Sequence, residues 1–188
     1  VVNLLSETAG AVRDELKWSK VLPVGVSKQE HYAAFTEVLE IGRQIIYDQT
    51  KRFAPNYMII ASNVLPILTF IPGFTAAPAG QVNGPYFAGT VDGMKVFVSP
   101  AIEPNKMVFG VNGSDLQTSA AVYAPYMAIV PTQLLGFADG TMSQGFSTMY
   151  DMKLLSTYEK GGKEYSWLLC AGEINTVTTP AEEEEAGE

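Results

Sequence analysis

Ser27 and Glu30, three residues apart and just ahead of an apolar run, mark the clearest helix start in this 188-residue chain. A serine hydroxyl at a helix N-cap accepts from the amide three residues on, and a glutamate there reaches back to the cap amide. From that box Tyr32, Phe35, Val38 or Leu39, Gly42 and Ile45 or Ile46 recur at helical spacing. They predict one apolar face on a helix running to about Arg52. Pro55 sets the stop, because the residue before a proline is driven out of the helical region. Tyr57–Ala61, wholly apolar, then predicts a buried strand. A long one-faced helix followed at once by such a strand asks for a sheet on which the helix can lie.

The rest of the chain supplies that sheet. Val1–Lys17 reads as the end of a helix, with Val2, Leu5, Ala9, Val12 and Leu16 three to four apart, and Trp18–Val26, holding Pro23 and Gly25, as a connector. Ser62 or Asn63 can cap a short helix ending near Phe70, with Pro66 tolerated in its first turn. Gly73–Pro85 carries three Gly and two Pro in thirteen residues and reads as a loop. Tyr86–Val91 and Met94–Ser99 flank Asp92-Gly93, a dipeptide that accepts the positive φ angles of a two-residue hairpin. Lys106–Val111 is a further strand, and Ala120–Val130 and Phe146–Ser156 alternate as long strands. Gly161-Gly162 turns the chain into a last strand, Glu164–Cys170. Helices first and strands after predict an α+β fold, without regular βαβ alternation.

The search for chemistry finds little. His31 is the sole histidine and Cys170 the sole cysteine, so no metal-ligand spacing and no internal disulfide can be drawn. His31 reads as a surface or packing residue, Cys170 as a small buried hydrophobe. No dinucleotide or phosphate-binding glycine motif is present; Gly84, Gly89 and Gly93 precede strands rather than a helix. Tyr123, Tyr126, Phe146 and Tyr150 could stack bases, but Ala120–Val130 has no Lys or Arg to hold phosphates. Asn112-Gly113-Ser114 fits a glycosylation acceptor and reads as a turn. Net charge is −8, yet Glu182–Glu185 and Glu188 supply five of the twenty acids, and without them fifteen acids face twelve bases. That balance predicts an ordinary surface with a solvated acidic tail over Pro180–Glu188, and no groove for many phosphates. The longest apolar stretch, Tyr57–Phe74, is broken by Ser62, Asn63, Pro66 and Pro72, so no membrane span is predicted. No signal peptide is evident, and the chain opens on Val rather than Met, which implies an N-terminus processed or cut. The reading is no enzyme, no cofactor and no metal. Two alternatives stay open: a small hydrolase using paired carboxylates among Asp48, Asp92, Asp115, Asp139 and Asp151, and a monomeric binding domain.

Five segments in order carry a resemblance. They are Thr50-Lys51-Arg52-Phe53-Ala54-Pro55-Asn56-Tyr57-Met58-Ile59-Ile60-Ala61-Ser62, the hairpin Phe87–Pro100, Phe109-Gly110-Val111-Asn112-Gly113-Ser114, Val122-Tyr123-Ala124-Pro125-Tyr126-Met127-Ala128-Ile129, and Gly145-Phe146-Ser147-Thr148-Met149-Tyr150. Together they resemble the major capsid proteins of tailed bacteriophages with the Hong Kong 97 fold, particularly the T-even-type branch, with Val111-Asn112 as a departure. The resemblance spans about Ser27–Ile174. It implies a structural subunit of an icosahedral shell that self-associates into hexamers and pentamers around packaged double-stranded DNA. Localisation would be the virion, assembled in the host cytoplasm, with copies of itself as partners and scaffolding or decoration proteins as further ones. No sequence-specific nucleic acid and no membrane partner is implied. Residues 1–26 would be the end of a spine helix and a connector, 27–112 the axial domain, 113–174 peripheral-domain strands returning to the core, and 175–188 the tail. The family's N-terminal arm, its extended loop and most of its spine helix have no counterpart here, which implies a fragment of a longer precursor. The loop Gly73–Pro85, with Ala77, Gly80 and Asn83, is the expected tip at the capsomer axis. Tyr123, Pro125 and Tyr126 are expected peripheral-domain contacts, with internal core as the plain alternative.

Overall fold

The computed structural model describes residues 5, 9, 10, 12, 14–78 and 85–175. A 3-10 turn over Asp14–Leu16 leads into β1, Lys17–Ser19. Two helices follow, α1 over Lys28–Ala33 and α2 over Phe35–Thr50. Then come β2 (Tyr57–Ile60), the short α3 (Leu65–Leu68), β3 (Phe74–Ala76), β4 (Tyr86–Val91), β5 (Met94–Val98) and β6 (Lys106–Gly110). The later strands are β7 (Ala121–Pro131), β8 (Leu135–Gly136), β9 (Met142–Ser143), β10 (Phe146–Leu154), β11 (Thr157–Lys160), β12 (Lys163–Ser166) and β13 (Leu169–Asn175). The fold is α+β.

The capping box forms as the sequence predicts. Ser27 Oγ accepts from the Glu30 amide at 3.2 Å, and the Glu30 carboxylate accepts from the Ser27 amide at 3.1 Å. The helix stops at Lys51, four residues ahead of Pro55. Lys51 turns left-handed (φ 53°), the Thr50 hydroxyl donates to the Ile46 carbonyl, and the Phe53 amide donates to Thr50 Oγ1. The chain has thus left the helix before proline sterics apply. At Ala34 the helix tightens into a turn that separates α1 from α2.

A seven-stranded sheet with order β1-β13-β6-β2-β5-β4-β3 organises the core. β2 sits at its centre, parallel to β5 and antiparallel to β6. Residues directly opposite share a face, so Met58 aligns with Val96 and Phe109, and Ile60 with Val98 and Met107. This apolar face continues through Cys170 and Ile174 to Trp18. α2 lies on it, burying Phe35, Val38, Leu39, Gly42 and Ile46. The packing is tight at Gly42, where an added Cβ would meet the Phe109 ring at 2.9 Å.

Four expectations change. Lys17–Ser19 is neither helix end nor connector but a strand parallel to β13, because Trp18 is needed to extend the buried face. Neither Ser62 nor Asn63 caps α3: Val64 takes that position without a side-chain bond. Asn63 instead accepts from the Asn105 amide at 3.1 Å. The loop from Gly73 yields a short edge strand, β3, paired with β4. The predicted last strand Glu164–Cys170 is two, since Trp167 and Leu168 step from the β11–β12 hairpin into the main sheet. The Asp92-Gly93 hairpin forms as predicted, both residues at positive φ (45° and 81°).

Candidate subunit interface

β7 and β10 pair with each other and with no other described strand. β7 alone has eleven residues, roughly 37 Å of extended chain. Cross-strand register puts Tyr123 opposite Met152 and Pro125 opposite Tyr150, while Val122 faces Lys153 and Ala124 faces Asp151. Near its base the ribbon therefore has one apolar face and one charged face. Tyr123 and Tyr150 touch with ring centroids 5.6 Å apart. The tip is closed by Thr132 and Gly145: the Thr132 amide donates to the Gly145 carbonyl, and the Gly145 amide to Thr132 Oγ1, each at 2.8 Å. Beyond it, β8 and β9 enclose a turn in which the Asp139 carboxylate accepts from the Thr141 hydroxyl and amide. Those bonds, the hydroxyl's first, hold Asp139 below its ordinary range.

Both faces of this ribbon are open to solvent. Tyr126 is 88 % exposed, Ile129 71 %, Met142 73 % and Phe146 70 %, and Leu134, Leu135, Phe137, Met149 and Tyr150 are more than half exposed. Residues 121–154 hold only three charges, Asp139, Asp151 and Lys153. A free two-stranded ribbon is marginal in water, and contiguous exposed apolar surface marks a contact site.

Of the residues expected at an interface, Tyr123, Pro125 and Tyr126 lie together on β7 and all are exposed. The alternative that they form this chain's own core does not hold: strand alternation there reports two chemically distinct faces, not one buried face. Ala77 is half-buried at the end of β3, its amide donating to the Ala88 carbonyl at 2.9 Å. Gly80 and Asn83 lie outside the described residues. The apolar tip (Leu134, Leu135, Phe137, Met142) escaped the sequence reading, although its signal was visible as large apolar residues in a stretch with one charge.

His31 stacks on Trp18 at 4.7 Å, and its Nε2–H donates to the Ser19 carbonyl at 2.9 Å, a packing role. Cys170 is buried in the sheet. Asp48, Asp92, Asp115, Asp139 and Asp151 are all exposed and sit on separate elements. Among the described residues no three His, Cys, Asp or Glu gather to hold a metal. A trough of about 540 Å³ on the sheet face away from α2 is lined by Tyr57, Ile59, Lys95, Phe97 and Val111 among others, and by none of those aspartates. Burial pushes the Tyr57 hydroxyl up to about 12.

Several solved structures resemble the chain, three of them as follows. A prophage protein of E. coli CFT073 assigned as its capsid protein shares 11 % identity at a TM-score of 0.47, covering 88 % of this chain and 54 % of that one. A virus-like particle from Pyrococcus furiosus gives 11 % and 0.46, covering 92 % and 64 %. A phage-related protein from Bordetella bronchiseptica RB50 gives 10 % and 0.43, covering 86 % and 57 %. The chain thus spans between about half and two thirds of the structures it resembles. No curated protein sequence matches it. The family model for the major capsid protein Gp23 matches residues 1–175, and the chain belongs to that family.

Proposed function

We propose that the chain is a structural subunit of a phage capsid, of the Hong Kong 97 type, acting through contacts with copies of itself and not through catalysis. The exposed apolar ribbon over residues 121–154 is the observation that carries this reading. A large apolar side chain gains roughly 1.5–3 kcal/mol on full burial, so several ribbon residues meeting a partner supply a contact the isolated chain lacks. Family membership supplies the context in which that partner is another subunit. In this reading residues 27–112 form the axial domain of hexamers and pentamers, and the loop with Ala77, Gly80 and Asn83 approaches the capsomer axis. Residues 113–174 form peripheral strands, with Tyr123, Pro125 and Tyr126 as contacts. The shell would enclose double-stranded DNA and assemble in the host cytoplasm, with scaffolding or decoration proteins as further partners. Among the described residues no helix is long and apolar enough to cross a membrane. No observation favours the carboxylate-dependent hydrolase, since the candidate aspartates are exposed and sit on separate elements.

The test is sedimentation velocity and negative-stain microscopy of the wild-type chain beside Tyr126→Asp. The wild type should form oligomers with concentration. The variant should associate more weakly than the wild type with an unchanged Tm, because an exposed substitution shifts stability by about 0.5 kcal/mol or less. A wild type that stays monomeric at roughly 0.5 mM, a concentration at which even contacts near 1 mM affinity (about 4 kcal/mol) would show, refutes the reading.

A further inference from the structure

The segment joining β1 to α1 presents a second apolar surface, remote in sequence from the ribbon. Residues 21–30 are all exposed. Pro23–Val26 form a turn in which the Val26 amide donates to the Pro23 carbonyl at 3.3 Å and Gly25 takes φ +87°. Glycine at that third position admits the positive φ of a type II turn. Val24 is driven out to full exposure, flanked by the exposed Leu22 and Val26. Single exposed valines are ordinary, but Val21, Leu22, Val24 and Val26 gather within six residues. The knob is also cationic at its margins. Lys20 and Lys28 bracket it, and the Lys28 ammonium sits over the rings of Tyr32 and Phe70 at 5.6 and 5.3 Å.

Charge separates two of the grooves that could receive such a knob. The trough on the sheet carries Lys95 at its wall, the same sign as the knob. The other, a shallow groove of about 490 Å³ on the outer side of α2, is lined by Glu37, Glu40, Ile41, Tyr47 and Ala54 with Arg43. Arg43 is engaged by Glu40 at 2.8 Å. Glu37 has no ion-pair partner among the described residues, and it lies exposed one helical turn from the apolar Ile41. Opposite charge across a contact sets register and suppresses wrong pairings.

We propose that the turn 23–26 of one copy seats in the α2 groove of a second copy, with Val24 against Ile41 and Tyr47 and Lys20 or Lys28 facing Glu37. This rests on the self-association proposed above and names a contact distinct from the ribbon. Because knob and groove are different patches, the contact is head-to-tail: each docked pair leaves one knob and one groove open. Such a contact propagates, and it closes into a ring when the rotation per subunit allows.

The experiment is chemical cross-linking with a short flexible bis-maleimide, read by gel and mass spectrometry. The buried Cys170 does not compete for the reagent. Leu22→Cys beside the knob and Gln44→Cys on the lining of the groove both replace exposed side chains and keep Val24, Ile41 and Tyr47 in place; an unchanged Tm for each checks the fold. A mixture of the two single variants should give heterodimers, each variant alone should give none, and the double variant should give a ladder. In parallel, Glu37→Lys should weaken wild-type association about tenfold, a loss near 1.4 kcal/mol, and Lys20→Glu in its partner should restore it. No cross-link in the mixture, or dimers from Leu22→Cys alone, overturns the proposal while leaving ribbon-mediated association standing. A wild type that never associates overturns both.

Discussion

Gly42→Ala tests how α2 is seated on the sheet, and its sign is set by one aromatic ring. A Cβ at Gly42 would lie 2.9, 3.0 and 3.1 Å from three atoms of Phe109. That ring is fully buried on β6, whose backbone is held on both sides by β13 and β2. It has no solvent to swing into, so either the ring or the helix must shift by a few tenths of an ångström. Overpacking of that kind costs about 1–3 kcal/mol. Alanine in a helix interior recovers roughly 0.5–1 kcal/mol relative to glycine. The net expectation is a loss of up to about 2.5 kcal/mol, whereas the same change on a solvent-facing turn of the helix would stabilise. Urea unfolding followed by circular dichroism should show the midpoint falling by about 0.5 M with its slope unchanged. Phe109→Leu alone should also destabilise, but it opens room for the new methyl. The double variant should therefore be more stable than the sum of the singles by about 1 kcal/mol. A stabilised Gly42→Ala, or an additive cycle, would refute the seating of α2 on β6.

Two ionisable groups give further expectations. Bonds from the Ser27 hydroxyl and then its amide lower the Glu30 carboxyl below its ordinary 4.5. The capping box therefore stabilises the fold above that pH and is lost as pH falls through the lowered value; Glu30→Gln should flatten this part of a Tm-against-pH curve, and parallel curves would refute it. Tyr57 is held neutral by burial, with its hydroxyl raised to about 12 from 10.0, so its contribution is whole below pH 10 and declines as pH rises toward 12. Tyr57→Phe should lose less stability than the wild type across that window, by an amount on the order of 1–2 kcal/mol at its upper end, measured by urea midpoints at pH 9 and 11.5.

The chain's local instructions were legible wherever neighbouring residues alone satisfy the backbone. The Ser27–Glu30 box and the Asp92-Gly93 turn are closed by atoms within a few residues of each other, so the sequence determines them. Helical spacing likewise named the α2 residues that end buried, Phe35, Val38, Leu39, Gly42 and Ile46. Pro55 predicts the stop of α2, but Thr50 acts first through its side-chain bonds and Lys51 through its left-handed backbone.

What needed the folded chain was every decision made by distant partners. Lys17–Ser19 became a strand because β13, some 155 positions later in sequence, offers it an edge and Trp18 a place in the core. Asn63 passed over the helix cap because Asn105 lies within its reach. The alternating strands β7 and β10 gave no hint of whether their apolar face is covered, since alternation fixes which side chains share a face and says nothing about what lies opposite. Sequence determined the apolar and polar faces of this protein. Only tertiary structure decided which of them meet each other and which, like the large apolar side chains of residues 121–154, stay exposed.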